Sequence, residues 1–154
     1  MNLTKNFSLN ELTQSETALR KGLNNVPTQA IIDSLQTLAV NVLQPIRDHY
    51  GKGVKVSSGY RSPEVNAAVG GSKVSDHCKG QAADIEIPGL PNMELATYIK
   101  YNLKFTQLIL EFYTPGVVDS GWVHVSYNPD NLKCQVMTAV MKDGKTVYLP
   151  GLVA

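Results

Sequence analysis

Apolar residues recur with helical spacing over one long segment, between Pro27 and Gly51. They stand three or four positions apart and share one side of an α-helix: Ile31, Ile32, Leu35, Leu38, Val42, Leu43 and Ile46. Proline suits the first turn of a helix, and glycine commonly follows the last turn. The pattern therefore predicts a long amphipathic helix that starts at Pro27 and stops before Gly51.

Three other segments carry shorter helical signals. Ser62-Pro63-Glu64 supplies a hydroxyl cap, a proline and an acid in sequence, and Gly70-Gly71 ends that segment. Apolar positions share a face over residues 92–102, which predicts a further helix. Residues 7–24 combine capping residues with a few apolar anchors, so we expect short helical turns packed on the main body.

Short runs of β-prone residues lie between and after these helices. They are Val54–Ser58, Ala82–Ile87, Leu108–Phe112, Trp122–Tyr127, Gln135–Met141 and Thr146–Leu149. Asp143-Gly144 between the last two predicts a hairpin. Because helices come mostly first and strands later, we predict an α+β fold with a mostly antiparallel sheet and helices packed on one face. Residues 1–154 show no repeat or linker and are expected to form a single domain.

Charge and composition narrow the class of protein. The chain has 14 Lys+Arg, 13 Asp+Glu and a net charge of +1, without a basic cluster, so we expect no nucleic-acid partner. No apolar run has the length of a membrane span, so we expect no membrane association. Cys78 and Cys134 are expected to be reduced. The N-terminal residues lack an apolar signal segment, so we expect synthesis in the cytoplasm. We also expect the protein to be a monomer.

Three strands carry a polar side chain on the face opposite to their apolar residues. Successive side chains of a strand alternate between the two faces of the sheet. Alternation places Asp84, His124 and Glu111 on the polar side of their strands. The apolar side is then formed by Ile85, Ile87, Leu108, Leu110, Phe112, Val123, Val125 and Tyr127.

Two histidines and two acids match the donor set of a catalytic zinc site. Such a site takes three His, Asp or Glu ligands and keeps a position for water, whereas structural zinc usually has four ligands rich in Cys. We predict that His77, Asp84 and His124 bind Zn²⁺. Glu111 is then the general base for the metal-activated water. Arg61, shortly after the first strand, is expected to stabilise the oxyanion of amide hydrolysis.

The residues around these positions resemble a known family. Ser57–Ser62 is SSGYRS, Ser75–Asp84 has the pattern S-x-H-x-x-G-x-A-x-D, and Trp122–Ser126 is WVHVS. These motifs resemble the D-alanyl-D-alanine carboxypeptidase branch of the zinc peptidases, which includes lysostaphin and hedgehog-type domains. Phe7–Leu12 also resembles the start of small phage and prophage members. The resemblance implies a zinc ion, an antiparallel sheet with flanking helices, and hydrolysis of cell-wall peptides that contain D-Ala.

One position departs from the pattern of several relatives. These relatives place the catalytic acid three residues before the last histidine ligand, where this chain has Gly121. In other relatives the acid ends the preceding strand, which matches Glu111 if residues 112–121 form a lengthened loop. Asp119 in that loop is the second candidate for the base, because it lies five positions before His124.

Two functions are compatible with these residues. The first is a zinc peptidase acting on peptidoglycan, and the second is a zinc-containing binding module without turnover. Glu111 and Arg61 favour the enzyme, because a binding module has no need of a base or an oxyanion-stabilising cation. The resemblance to phage proteins implies action on the cell wall after holin-type release or as a virion component. The scissile bond is left open between terminal D-Ala-D-Ala, a cross-bridge and L-Ala-D-Glu.

Overall fold

A six-stranded sheet runs through the protein, as seen in a computed structural model that describes residues 1–154. Its strands are β1 Lys55–Ser58, β2 Ala82–Glu86, β3 Gln107–Glu111, β4 Trp122–Ser126, β5 Gln135–Lys142 and β6 Lys145–Pro150. They are arranged in the order β1-β2-β4-β3-β5-β6. Neighbouring strands are antiparallel except β3 and β5, which are parallel. The predicted antiparallel character of the sheet is confirmed, with one parallel pair added.

Six α-helices accompany the sheet. They are α1 Leu9–Thr13, α2 Glu16–Lys21, α3 Gln29–Leu38, α4 Gln44–Tyr50, α5 Pro63–Ala68 and α6 Asn92–Asn102. A π-helical segment, Ala39–Leu43, joins α3 to α4, and a 3₁₀-helix covers Asp76–Lys79. None of the helices has the length and apolarity that crossing a membrane requires.

One face of the sheet forms the hydrophobic core with the helices. Ile85, Leu110 and Val123 on this face are fully buried, each of them adding roughly 1.5–3 kcal/mol relative to an exposed side chain. The same core contains residues of the long helical segment and α6: Leu35, Leu38, Leu43, Ile46, Leu95 and Ile99. The predicted α+β fold with helices on one face of the sheet is confirmed. The alternate positions of β2, β3 and β4 carry Asp84, Glu111 and His124.

The long helix predicted between Pro27 and Gly51 is present over residues 29–50, with a local change of winding. Pro45 has no N–H to donate to the carbonyl four residues earlier, and its ring crowds that carbonyl. The preceding turn is therefore wider, and the Gln44 N–H donates to the carbonyl of Ala39, five residues back. Gly51 ends the helix with φ of 64°, a left-handed conformation that glycine adopts without steric cost.

The prediction for Phe112 was wrong. We expected this residue to continue β3 on the apolar face, but β3 ends at Glu111. Phe112 adopts φ of 55°, which interrupts the alternation of side chains. Its ring instead packs against Trp122, with the ring centroids 5.4 Å apart. The end of β3 thus contributes an aromatic pair beside the polar residues.

Candidate metal centre

His77 lies on the 3₁₀-helix, where short-range hydrogen bonds position it. The Ser75 hydroxyl accepts the His77 backbone N–H at 3.2 Å, and Gly80 ends the turn in a left-handed conformation. The buried imidazole places Nδ1 2.7 Å from the carbonyl oxygen of Gly59. Because a carbonyl can only accept, Nδ1 carries the proton and Nε2 is left with a free lone pair. Nε2 lies 3.4 Å from Oδ1 of Asp84, so the unprotonated nitrogen faces the other polar residues.

Asp84 and His124 are brought together by the register of the sheet. They occupy directly opposite positions of the antiparallel strands β2 and β4 and therefore share a face. Nδ1 of His124 lies 3.0 Å from Oδ1 of Asp84. A shift of either strand by one residue would move its side chain to the core face. The core residues of β2 and β4 thus hold both polar groups in place.

The three side chains form a group that fits a zinc ion. One nitrogen of His77, one nitrogen of His124 and one oxygen of Asp84 lie within 4.8 Å of one another. Two imidazoles and one carboxylate are the type of protein donor set found in catalytic zinc sites. The Gly59 carbonyl orients the His77 ring as partners of metal-bound histidines commonly do. Cys78 is not part of the group.

The carboxylate of Asp84 is ionised, and its negative charge favours binding of a cation. Burial opposes ionisation of Asp84, but the hydrogen bond with His124 outweighs it and holds the pKa of Asp84 well below its usual range. Burial also lowers the pKa of His124, yet the hydrogen bond with Asp84 outweighs burial and leaves that pKa raised. The raised pKa favours a proton at His124 in the metal-free protein, and a bound metal would displace it.

Glu111 is the last residue of β3, the strand that pairs with β4 on the side away from β2. It is opposite Trp122 of β4 and on the same face of the sheet as His124. Burial and then the charge of Asp84 raise the pKa of Glu111 to about 7, whereas His124, Trp122 and Arg61 act in the opposite direction. A carboxyl group whose pKa is near neutral can both accept and release a proton under ordinary conditions.

Trp122 forms a wall beside Glu111. Its indole N–H is buried without a well-aligned hydrogen-bond partner, and it lies close enough to Glu111 to lower the pKa of that acid. The ring of Phe112 packs against it. Strand alternation predicted Phe112 on the apolar face, so the sequence did not indicate its contact with Trp122. Only a positive φ for Phe112 turns that ring to this side, and a residue of this type is not expected to adopt it.

Gly121 stands three residues before His124, where several relatives carry the catalytic acid, and the backbone excludes a side chain there. Its φ is 66°, and a side chain there would collide with the main-chain atoms of Glu111 and Phe112. The position three residues before His124 is therefore closed to any carboxylate. The neighbouring acid is Glu111, on the adjacent strand.

Arg61 is hydrogen-bonded to the segment that carries His77. Its backbone N–H donates to the carbonyl of His77 at 3.1 Å, and its guanidinium lies 3.4 Å from the Ser75 hydroxyl. The Nε atom is buried without a hydrogen-bond partner. The charge of Arg61 lowers the pKa of Glu111, so it acts electrostatically on that acid. A cation with a free donor is thus present beside the metal-binding group.

Asp119 has a structural role in the loop before β4. Its carboxylate accepts the backbone N–H of Gly89 at 3.1 Å. The Ser120 hydroxyl closes the same loop by accepting the Thr114 N–H at 2.7 Å. The Asp119 contact connects the loop to the segment between β2 and α6. The remaining histidine, His49, lies outside the metal-binding group and stacks on Tyr98 with ring centroids 4.1 Å apart.

Comparison with known families agrees with this geometry. A sequence model described as Peptidase M15 matches residues 5–126, which include His77, Asp84, Glu111 and His124. The match ends before β5 and β6. A comparison with curated protein sequences found no match. Because the matched region covers most of the chain, this protein belongs to the peptidase M15 family.

Proposed function

We propose that this protein is a zinc-dependent peptidase that hydrolyses amide bonds in the peptide stems of bacterial peptidoglycan. The observation that carries the proposal is the His77, Asp84 and His124 group on the same sheet face as Glu111. Membership of the peptidase M15 family supports the peptidase activity. The wall substrate is inferred from the resemblance of the Ser57–Ser62, Ser75–Asp84 and Trp122–Ser126 motifs to D-alanyl-D-alanine carboxypeptidases.

The ligand residues have distinct tasks in this proposal. His77 binds through Nε2, because Nδ1 donates to Gly59. His124 binds through Nδ1, the nitrogen that faces Asp84. Asp84 supplies an oxygen and a negative charge in a buried setting, which strengthens binding of a cation. When bound, zinc would lower the pKa of a water ligand and polarise the carbonyl of the scissile bond.

Glu111 is the proton carrier of the proposed reaction. Its carboxylate accepts a proton from the attacking water and then donates that proton to the leaving amine nitrogen. In the metal-free protein burial and the charge of Asp84 raise the pKa of Glu111 to about 7, and the same burial helps the carboxyl group to hold the proton between the two steps. Arg61 supplies positive charge and a free Nε–H for the oxygen that becomes negative during attack. Trp122 and Phe112 shield Glu111 on one side, which raises the strength of these interactions.

We further propose that the enzyme acts as a monomer on the cell wall, without a nucleic-acid or membrane partner. Release through a holin-type pore or carriage by a virion would bring it there. The similarity of Phe7–Leu12 to phage and prophage proteins supports this proposal. The near-neutral net charge of +1 favours a peptide substrate over a polyanion.

Mass spectrometry of purified peptidoglycan fragments tests the proposed function. Fragments are analysed before and after incubation with the zinc-loaded protein, and a chelated sample is the control. We expect metal-dependent cleavage of one stem-peptide bond. Loss of D-Ala, opening of a cross-bridge and release at L-Ala-D-Glu give products of different mass, so the same measurement identifies the bond. Absence of products on all fragments would contradict the enzyme and favour the binding module.

A further inference from the structure

A concave surface lies along the β1 edge of the sheet. This surface, here called the β1 groove, is bordered by β1, α2 and α5 and has a volume of ≈ 820 Å³. Ligand sites commonly have volumes of roughly 300–1,000 Å³. Arg61 lines the groove, whereas His77, Asp84 and His124 do not. The groove is therefore a candidate site separate from the metal ligands but in contact with them through Arg61.

The floor of the groove is an edge strand. β1 pairs only with β2, and no strand covers its other side. An edge strand presents backbone N–H and C=O groups that can pair with an extended peptide. The strand Lys55–Ser58 has four residues. At about 3.3 Å per residue it spans roughly 13 Å, the length of an extended peptide of about four residues.

The side walls favour a peptide over a sugar chain. Leu19 of α2 is 80% exposed and Val69 at the end of α5 is 43% exposed, and both line the groove. Such exposed apolar positions can receive apolar side chains of a peptide. Stacking of a sugar ring would need an accessible aromatic face. Tyr60, the aromatic residue of the lining, is buried with 7% exposure.

The charges of the groove favour an acidic ligand. Lys55 and Arg61 contribute two cations, and Glu16 is the acid of the lining. The guanidinium of Arg61 has donors besides the Nε–H assigned to the reaction, and its positive charge at the groove lining favours a carboxylate. Arg61 also lies at the end of the groove nearest the metal-binding group, because its backbone is bonded to His77.

The register of the sheet connects the groove to the reaction centre. Ser58 of β1 is opposite Asp84 of β2. A peptide on the free edge of β1 is separated from Asp84 by β1 itself, so the link to the centre runs past the Ser58 end of the strand. There the groove reaches Arg61, whose backbone N–H donates to the carbonyl of His77.

We propose that the β1 groove binds the part of the substrate that leads away from the scissile bond, as an acidic peptide in extended conformation with a carboxylate at Arg61. The proposal rests on the proposed function for the identity of the peptide as a wall stem. In this proposal the groove determines the preference of the enzyme for a long stem peptide over a short one.

Kinetics with two substrates test the groove. One substrate contains only the residues around the scissile bond, and the other is a complete acidic stem. Leu19→Glu and Lys55→Glu place negative charge in the groove, so we expect KM for the complete stem to rise about tenfold relative to KM for the short substrate. Val40→Glu and Lys52→Glu are matched controls on exposed residues outside the lining, and the KM ratio should not change. An unchanged ratio in both groove variants, with a parent that cleaves both substrates, would overturn the proposal.

Nuclear magnetic resonance separates the groove from the reaction itself. Free stem tetrapeptide containing D-Glu is titrated into the Glu111→Gln protein, and backbone amide shifts are followed. We expect the largest changes at Lys55–Ser58, with smaller changes in the Lys55→Glu background. This result would support peptide binding in the groove even if the parent cleaved no wall bond. Shifts confined to other segments would overturn it, and shifts of Lys55–Ser58 only with glycan-bearing fragments would assign the groove to the sugar chain.

Discussion

Gly121 lies directly against the main-chain carbonyl of Glu111, and a side chain at position 121 would collide with that carbonyl. The contact joins the end of β3 to the start of β4, where Glu111 is opposite Trp122. Position 121 is the one at which several relatives carry their catalytic acid, and the contact leaves no room there for a side chain. The same contact places the backbone of Glu111 next to this position. The relationship accounts for a carboxylate that is supplied by β3 instead of by the turn before His124.

Gly121→Ala tests this close contact. The new methyl group must displace the backbone of Glu111, and alanine is also strained at φ of 66°, so we expect a lower melting temperature and lower turnover. Gly116→Ala is the matched control, because Gly116 has φ of 84° but open space around its Cα. Thermal unfolding and peptide cleavage are measured for both variants. Equal losses of stability in the two variants would show that the contact with Glu111 has no cost.

The polar face of the centre was predictable because strand alternation is regular. Asp84 and His124 each follow the period of two within a strand whose other face is apolar, so their shared face could be inferred from the chain alone. The long helix was predictable for a similar reason, since its apolar positions recur over many turns. Both inferences depend on local repetition along the chain.

Non-local contacts could not be predicted in the same way. The Gly59 carbonyl that fixes the tautomer of His77 is a backbone atom with no sequence signal of its own. The parallel pairing of β3 with β5 depends on strand partners, which hydrophobic patterns do not specify. The turn of Phe112 towards Trp122 requires a positive φ that no local residue preference indicates. The shared face of Asp84 and His124 could therefore be inferred from the sequence, but these non-local contacts could not.

Loss of a ligand should empty the metal site. We expect about one zinc per parent chain and loss of most of it in His77→Ala, Asp84→Ala and His124→Ala, because two remaining protein ligands leave the site incomplete. His49→Ala is the control, because this exposed histidine stacks on Tyr98 outside the group. Elemental analysis after dialysis gives the metal content. Full retention of zinc in all three ligand variants would contradict the assignment.

Metal binding should weaken on mild acidification. Zinc requires an unprotonated nitrogen of His124, and the hydrogen bond with Asp84 raises the pKa of this residue. As pH falls through that raised pKa, protons compete for Nδ1, and we expect the apparent Kd to rise up to about tenfold per pH unit. A competition titration with a chromophoric chelator at several pH values measures the change. A constant affinity from alkaline to mildly acidic pH would contradict competition at His124.

Glu111 should reduce the stability of the metal-free protein above neutral pH. Its pKa in the folded protein is about 7, above the ordinary value of 4.5, so ionisation opposes folding. The cost is absent below the ordinary pKa, grows between the two values and is complete above the folded value. We expect the chelated protein to keep its fold, and Glu111→Gln to raise its melting temperature at about pH 8 but not at about pH 4. Circular dichroism measures both the fold of the chelated protein and the melting temperature of the variant. If Glu111→Gln raised the melting temperature equally at both pH values, the buried charge of Glu111 would not be the cause of the stabilisation.

The most direct test of the account is the turnover of Glu111→Gln, measured with its zinc content on the same sample. Glutamine has nearly the same shape as glutamate but cannot accept the proton of water, so we expect unchanged zinc and a loss of about 10²–10⁴ in turnover on peptidoglycan fragments. Asp119→Asn is the matched control, because Asp119 accepts the Gly89 N–H in the neighbouring loop. It should retain most of the activity. A near-normal rate for zinc-loaded Glu111→Gln with a collapse for Asp119→Asn would contradict Glu111 as the base and transfer that role to the loop.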